Sequence, residues 1–343
     1  MQAAVLRRPR RFEIVDRPRP VPGAGEVVVR IAATAVCHTD LEIYTGRHPG
    51  VQYPVIMGHE ATGTLEAVAE DVSELRPGQH VLINPVIACG HCDPCLRGAG
   101  HLCRNSGILG RELEGSLAQC LRLAAGYVHP LPPELPLNEA TLIETLATVR
   151  HGQERVGLAA DESVAVLGQG TTGLLHTRLA ILAGAKPVIA VSRTKWKLDM
   201  ATRMGAHHSV LASAESAVDE VLRLTGGAGV DVVVDTAGGA AQFAAGIAML
   251  RPGGRLCAFA ISHESLSNFS LFPFYYDEIS IIGSRALTPR DIDQSIALVA
   301  SGKIDVSGFV TKSYPFERTA AAFEEYERNP GGILRLLIEP GAL

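Results

Sequence analysis

The segment Val164-Ala165-Val166-Leu167-Gly168-Gln169-Gly170-Thr171-Thr172-Gly173 constrains the fold more than any other stretch of this chain. A short apolar run predicts a buried strand. It feeds directly into G-x-G-x-x-G and then a helical run over Leu174–Ala183, ended by Gly184. Glycines in that turn let the backbone bend tightly and approach a pyrophosphate, which sits on the N-terminus of the following helix. Gly168, Gly170, Thr171, Thr172 and Gly173 are therefore candidate cofactor residues. Beyond them the pattern keeps alternating. A strand is expected at Val188–Val191, a helix at Trp196–Met204 stopped by Gly205, and further strands at Val230–Val234, Arg255–Phe259 and Ser280–Ile282. Such alternation predicts an α/β unit with a doubly wound parallel sheet covered on both faces.

The first part, to about residue 147, has a different texture. Val27–Ile31 and His80–Ile83 read as strands bounded by Pro22-Gly23 and Pro77-Gly78, in a β-rich region whose Cys, His, Gly and Pro residues concentrate in loops. The Arg-rich opening, Arg7 through Arg19, reads as a solvated strand edge. After about residue 285 a helix (Ile292–Ala300), a strand near Phe309–Val310, a helix (Thr319–Glu327) and a strand (Leu334–Ile338) follow. At 343 residues the chain suits two domains. A formal net charge of −5 argues against nucleic-acid or anionic-membrane partners. No run approaches the ~20 apolar residues of a membrane span. The N-terminus lacks the layout of a secretory signal, so the expected location is the cytoplasm, where thiols stay reduced.

In that setting Cys89, Cys92, Cys95 and Cys103, spaced C-x2-C-x2-C-x7-C among glycines, read as zinc ligands and not as disulfides. Four protein ligands leave no place for water, so the role is structural. The end of the second strand of the α/β unit bears on cofactor choice. Ser192 and Arg193, with Lys197 beyond them, stand where a carboxylate would bind the ribose hydroxyls of NAD, and no carboxylate precedes Asp199. A hydroxyl beside a guanidinium suits a 2′-phosphate, so NADP is favoured over NAD, although Arg193 stacked on adenine would serve NAD as well.

Cys37-His38-Thr39-Asp40 and Gly58-His59-Glu60 are weak signals singly. Together with the four-cysteine loop they resemble, over essentially the whole chain, the zinc-containing medium-chain dehydrogenase/reductase family in its alcohol and polyol dehydrogenase branch. The resemblance implies a β-rich GroES-like catalytic domain over 1–147 and 285–343, and a Rossmann NAD(P)-binding domain over 148–284. It implies two zinc ions per chain, the catalytic one held by Cys37, His59 and Glu144. Glu144 stands in the polyol pattern, but Thr145 follows it where that branch usually has proline. Thr39 would contact the substrate oxygen, Asp40 would orient His59 from behind, and Glu60 would lie beside the metal. The relay histidine usual five residues after the first zinc cysteine is replaced by Glu42, which leaves Glu42 itself, His48 or solvent to finish the proton path.

The implied activity is hydride transfer between a small alcohol (secondary alcohol, diol or polyol) and NAD(P), in a homotetramer or homodimer. A threonine-type amino-alcohol dehydrogenase and a non-catalytic zinc- and nucleotide-binding sensor are the alternatives. Tyr44, His48, the Leu109–Arg111 loop and Phe272–Tyr276 are expected to line the pocket, with a subunit interface as the other reading for the aromatic stretch.

Overall fold

The computed structural model describes residues 1–105, 107–267 and 270–341. The chain divides into two compact units, Met1–Ala147 with Leu287–Leu343, and Thr148–Ala286. No helix among the described residues is long and apolar enough to cross a membrane.

The second unit is built on a six-stranded parallel sheet. Val164–Leu167 lies inside it, flanked on one side by Val188–Ser192 and then His208–Leu211, and on the other by Val230–Asp235, Leu250–Ala258 and Ser280–Gly283. Side chains alternate between two cores, as a pleated strand buried on both faces requires. Val164 and Val166 join Val188, Val232 and Val234 in one. Ala165 and Leu167 join Ile189, Val191 and Val233 in the other. The strand order reverses beside Val164–Leu167, and in such sheets the carboxyl ends at the reversal are where ligands bind.

Several elements depart from the sequence expectations at their ends. The glycine-motif helix starts at Thr171, three residues before the apolar run, because its first turn carries small polar residues. The helix expected from Ile292 begins at Pro289, behind a Thr288–Asp291 capping box in which the Thr288 hydroxyl accepts from Asp291 N. His208–Leu211, with only Val210 buried, and the helices Ala214–Leu224 and Ala240–Ala248 have no counterpart in the sequence reading.

The first unit is β-rich. Glu26–Val36 is its central strand, with Val27, Val28 and Val29 fully buried. It pairs antiparallel with Glu60–Val68, with Arg335–Glu339 and with Cys120–Ala124. His80–Ile83 and Val128–Pro130 extend the sheet on one side, and Val310–Pro315 on the other. A smaller sheet places Gln2–Arg8 between Arg11–Asp16 and Val55–Ile56. Its outer strand, Arg11–Asp16, is the solvated edge, whereas Ala3–Leu6 are buried.

Candidate active site

Strand register in the first unit gathers one end of the sheet. Leu336 sits opposite Val36, and Glu60 opposite Ala35. Cys37, just beyond its strand, His59, just before the next, and Arg335, at the start of the third, therefore meet at the same edge. Cys37 is the N-cap of the helix His38–Thr45, and its backbone N–H donates to Asp40 Oδ2 at 3.0 Å. Asp40 Oδ1 lies 3.3 Å from His59 Nδ1. That contact leaves His59 Nε2 facing Cys37 Sγ at 3.1 Å. One buried carboxylate thus caps the helix start through Oδ2 and faces the imidazole through Oδ1.

Burial opposes charge here, and neighbours decide the balance. It pushes the Cys37 thiol up, with Asp40 adding to the rise and His59 opposing it. It also disfavours the imidazolium, yet Asp40 and Cys37 together hold His59 well above the ordinary histidine value. Glu144 is pushed up to about 8, first by burial and then by the charge of Glu60, with His59 and Arg335 opposing. Glu144 is buried in this electrostatic neighbourhood but stands outside the group of donor atoms within 4.8 Å of one another formed by Cys37, Asp40 and His59. A thiol and a carboxyl that burial keeps protonated, beside a ring nitrogen aimed at the thiol, are the donor set a dication would ionise and bind. The residues fit zinc.

Arg335 was not foreseen from sequence, although a lone arginine inside the run Leu334–Ile338 is a signal. Its Nη2 donates to Glu60 Oε1 at 2.8 Å and to Thr145 Oγ1 at 2.7 Å. Glu60 rises on burial, and Arg335 and His59 pull it back. Thr39 sits half-buried in the first turn after Cys37. Glu42 Oε2, in the next turn, is buried without a hydrogen-bond partner among the described residues.

A glycine contact positions the approach to His59. Gly58 has φ +96°, and a Cβ on Gly110 would come within 2.6 Å of Gly58 N, while one on Gly115 would overlap Gly58 O and Met57 O. Gly115→Ala must therefore push the Met57–His59 backbone aside. Steric overpacking of this kind costs ~1–3 kcal/mol, and a shift of ~1 Å at a reacting centre costs about 10²-fold in rate. The expected result is a turnover loss of that order with partial loss of one metal ion, read by initial rates and metal analysis. Unchanged turnover would show that the glycine contact does not position His59.

The four cysteines of the second cluster converge on the loop around the short helix Asp93–Leu96. Sγ–Sγ separations are 3.4 Å for Cys92–Cys95, 3.8 Å for Cys92–Cys103 and 4.0 Å for Cys89–Cys95. Those distances bracket the ~3.8 Å edge of a tetrahedron with Zn–S bonds of ~2.3 Å. Backbone N–H groups of His91 and Cys92 help draw the Cys89 thiol down to about 6, the form a metal takes up. This cluster also fits zinc.

In the second unit, Gly168 has φ +86°, and a Cβ on Gly173 would overlap Gly168 O, so neither tolerates a side chain. Gly170 differs. A Cβ there would meet no protein atom within 4 Å, so the space beside the N-cap of the helix Thr171–Leu182 is open. That cradle fits a pyrophosphate. Ser192 ends the second strand, its hydroxyl accepting from Thr194 N at 3.1 Å, and Arg193 is exposed. Lys197 is buried with Nζ 5.3 Å from the Trp196 ring centroid, and burial lowers its pKa. Tyr44 corrects the sequence reading of the pocket. It is 2 % exposed and packs on Phe12 and Phe323, so it belongs to the core.

A nucleotide-binding α/β unit joined to a β-rich unit bearing two zinc-type donor clusters defines a zinc-dependent nicotinamide dehydrogenase. Comparison with known proteins agrees. Residues 23–133 match the alcohol dehydrogenase GroES-like domain and residues 171–301 the zinc-binding dehydrogenase domain. The chain is 30% identical to sorbitol dehydrogenase of Bacillus subtilis (strain 168), covering 99% of this chain and 97% of that protein. Among solved structures, alcohol dehydrogenase TADH from Thermus sp. ATN1 superposes with a TM-score of 0.90 at 30% identity, covering 99% of each chain. A protein of Sinorhizobium meliloti 1021 described as a zinc-binding dehydrogenase, with NADP bound, superposes with a TM-score of 0.89 at 28% identity, again over 99% of each chain. The chain belongs to the zinc-containing medium-chain dehydrogenase/reductase family, in the alcohol and polyol dehydrogenase branch, and is an oxidoreductase.

Proposed function

We propose that this enzyme interconverts a secondary alcohol, diol or polyol with its ketone, transferring hydride to and from NADP in preference to NAD. The observation that carries the reading is the end-of-sheet constellation in which Asp40 lies against His59 Nδ1 and His59 Nε2 faces Cys37 Sγ at 3.1 Å. Cys37, His59 and Glu144 would hold the catalytic zinc, and Cys89, Cys92, Cys95 and Cys103 a second, structural ion. Bound there, zinc supplies Lewis-acid polarisation of the alcohol oxygen. Around it, Asp40 would keep the His59 ring oriented, and the Thr39 hydroxyl would accept the substrate proton while passing its own toward solvent through the cofactor ribose. The pyrophosphate would lie on Gly168–Gly173, with Thr171 and Thr172 beginning the helix under it. The likeness to a sorbitol dehydrogenase supports a polyol, as does a carboxylate at Glu144 in place of a second cysteine.

The cofactor preference rests on Ser192 and exposed Arg193. Asp199, the nearest carboxylate after that strand, is engaged 2.8 Å from Lys195 Nζ. Buried Lys197 is the less available cation. The same enzyme is proposed to be a cytoplasmic homodimer or homotetramer. The edge strand Ser280–Gly283, with Ile281 exposed, and the exposed side chains of Leu271, Phe272, Tyr275 and Tyr276 offer an apolar surface for a second copy.

Initial rates with NAD and NADP on zinc-loaded protein, against secondary alcohols, vicinal diols, sugar alcohols and threonine, test this reading. We expect kcat/KM with NADP to exceed that with NAD by at least about tenfold, an increment of ~1.4 kcal/mol, on an alcohol or polyol. Preference for NAD would overturn the role given to Arg193. Turnover of threonine alone would move the substrate to the amino-alcohol class. No turnover in protein holding two zinc ions per chain would favour a non-catalytic sensor.

A further inference from the structure

We propose that Thr145 is a positioning residue of the metal centre. Its hydroxyl accepts from Arg335 Nη2 and holds the guanidinium in the orientation that grips a single oxygen of Glu60. The proposal rests on the zinc reading of Cys37, His59 and Glu144 given above.

Arg335, Glu60 and Thr145 are all buried, and all three belong to the first unit. A guanidinium facing a carboxylate normally makes two parallel bonds, one to each oxygen. Here it does not. Arg335 Nη2 divides its two protons between Glu60 Oε1 at 2.8 Å and Thr145 Oγ1 at 2.7 Å. Glu60 Oε2 and Arg335 Nε are left without hydrogen-bond partners among the described residues. Nη1 reaches only Val36 O, at 3.5 Å. The groups for a bidentate pair, Nε and Oε2, are therefore present, and the Nη2 bond to Thr145 holds the guanidinium turned so that they do not meet.

That single nitrogen, Arg335 Nη2, joins three segments. Thr145 lies in the first turn of the helix Leu142–Val156, directly after Glu144. Arg335 opens the strand that pairs beside Cys37. Glu60 follows His59. Tension at any of the three is transmitted to a residue that would hold zinc. Proline, usual at this position in the polyol branch, also suits the first turn of a helix but brings no oxygen. In this chain the position is polar, and the structure shows the partner that uses it.

Without the hydroxyl, the guanidinium is free to turn so that Nε meets Glu60 Oε2 while Nη2 keeps Oε1, and Glu60 is drawn toward Arg335. Groups bonded to metal ligands or lying beside them tune affinity by about 10- to 100-fold. The experiment uses the full chain loaded with zinc, and separately with cobalt at the catalytic position. The variants are Thr145→Val, Thr145→Ser and Thr145→Pro. Thr145→Val is expected to release the catalytic ion to a chelator about 10- to 100-fold faster and to shift the visible cobalt bands. Thr145→Ser should restore both, while the four-cysteine ion stays bound as internal control. If the valine variant does not fold, Thr145→Pro removes the same oxygen in a residue compatible with the helix start. A hydroxyl-free variant with parental release rate and cobalt spectrum overturns the proposal, even if its Tm falls, because a merely structural threonine would move only Tm. Failure of the underlying zinc reading shows elsewhere: Cys37→Ala would then keep both ions.

Discussion

Cys37→Ala is expected to lower kcat/KM by about four orders of magnitude, equivalent to ~5–6 kcal/mol of barrier at ~1.4 kcal/mol per decade. That is the scale of charge stabilisation a Lewis acid supplies. The variant should lose one metal ion per chain and keep the other, because Cys89, Cys92, Cys95 and Cys103 form a separate donor group. Its affinity for the nicotinamide cofactor should stay close to the parent's, since Gly168–Gly173 belong to the other unit. The smaller side chain removes only one sulfur from a site 8 % exposed, so the fold should persist. Metal analysis, cofactor titration and initial rates together read the result. Retention of more than about a tenth of the activity would sink the catalytic role of Cys37.

The second large effect concerns stability. His176, in the glycine-motif helix, is fully buried, and neither ring nitrogen has a hydrogen-bond partner among the described residues. Its ring stands edge-on to Phe259, centroids 4.6 Å apart. Burial alone drives its pKa down to about 3. The unfolded value is near ~6.5, so the folded state binds fewer protons than the unfolded chain between those limits. Stability contributed at neutral pH is therefore lost as pH falls from ~6.5 toward 3. At ~1.4 kcal/mol per pH unit the loss approaches ~5 kcal/mol at most. His176→Leu removes both the titration and the unsatisfied ring nitrogens. It should gain about 1–3 kcal/mol at pH 7, and should lose about 3 kcal/mol less than the parent between pH 7 and pH 4. Urea unfolding at the two pH values measures both quantities. Equal losses for variant and parent would rule out His176 as a source of acid lability.

Much of the architecture was legible where local chemistry is self-contained. Val164–Leu167 followed by spaced glycines can hardly form anything but a strand, a tight turn and a helix, because the glycines are required by close backbone approach within ten residues. The four cysteines are likewise near one another in sequence, so their convergence needs only a permissive loop. His208–Leu211 escaped notice because an edge strand buries a single side chain and shows no alternation. The start of the helix at Pro289 was missed even though Thr288-Pro289-Arg290-Asp291 carries a cap signal.

The second donor group is different in kind. Nothing near Cys37 indicates that His59 and Arg335 will stand beside it, and Arg335 was not foreseen at all. Resemblance pointed to the residues proposed to hold zinc, but only the register of three antiparallel strands sets Val36, Glu60 and Leu336 at one edge. The same is true of Tyr44, whose place in the core depends on Phe12 and Phe323 from distant segments. By itself the sequence determined the class of each unit, the nucleotide turn and the cysteine cluster, since those are written in periodicity and short-range spacing. The tertiary structure alone decided which buried charges face one another, because hydrogen bonds and desolvation act across distances in space that chain separation does not encode.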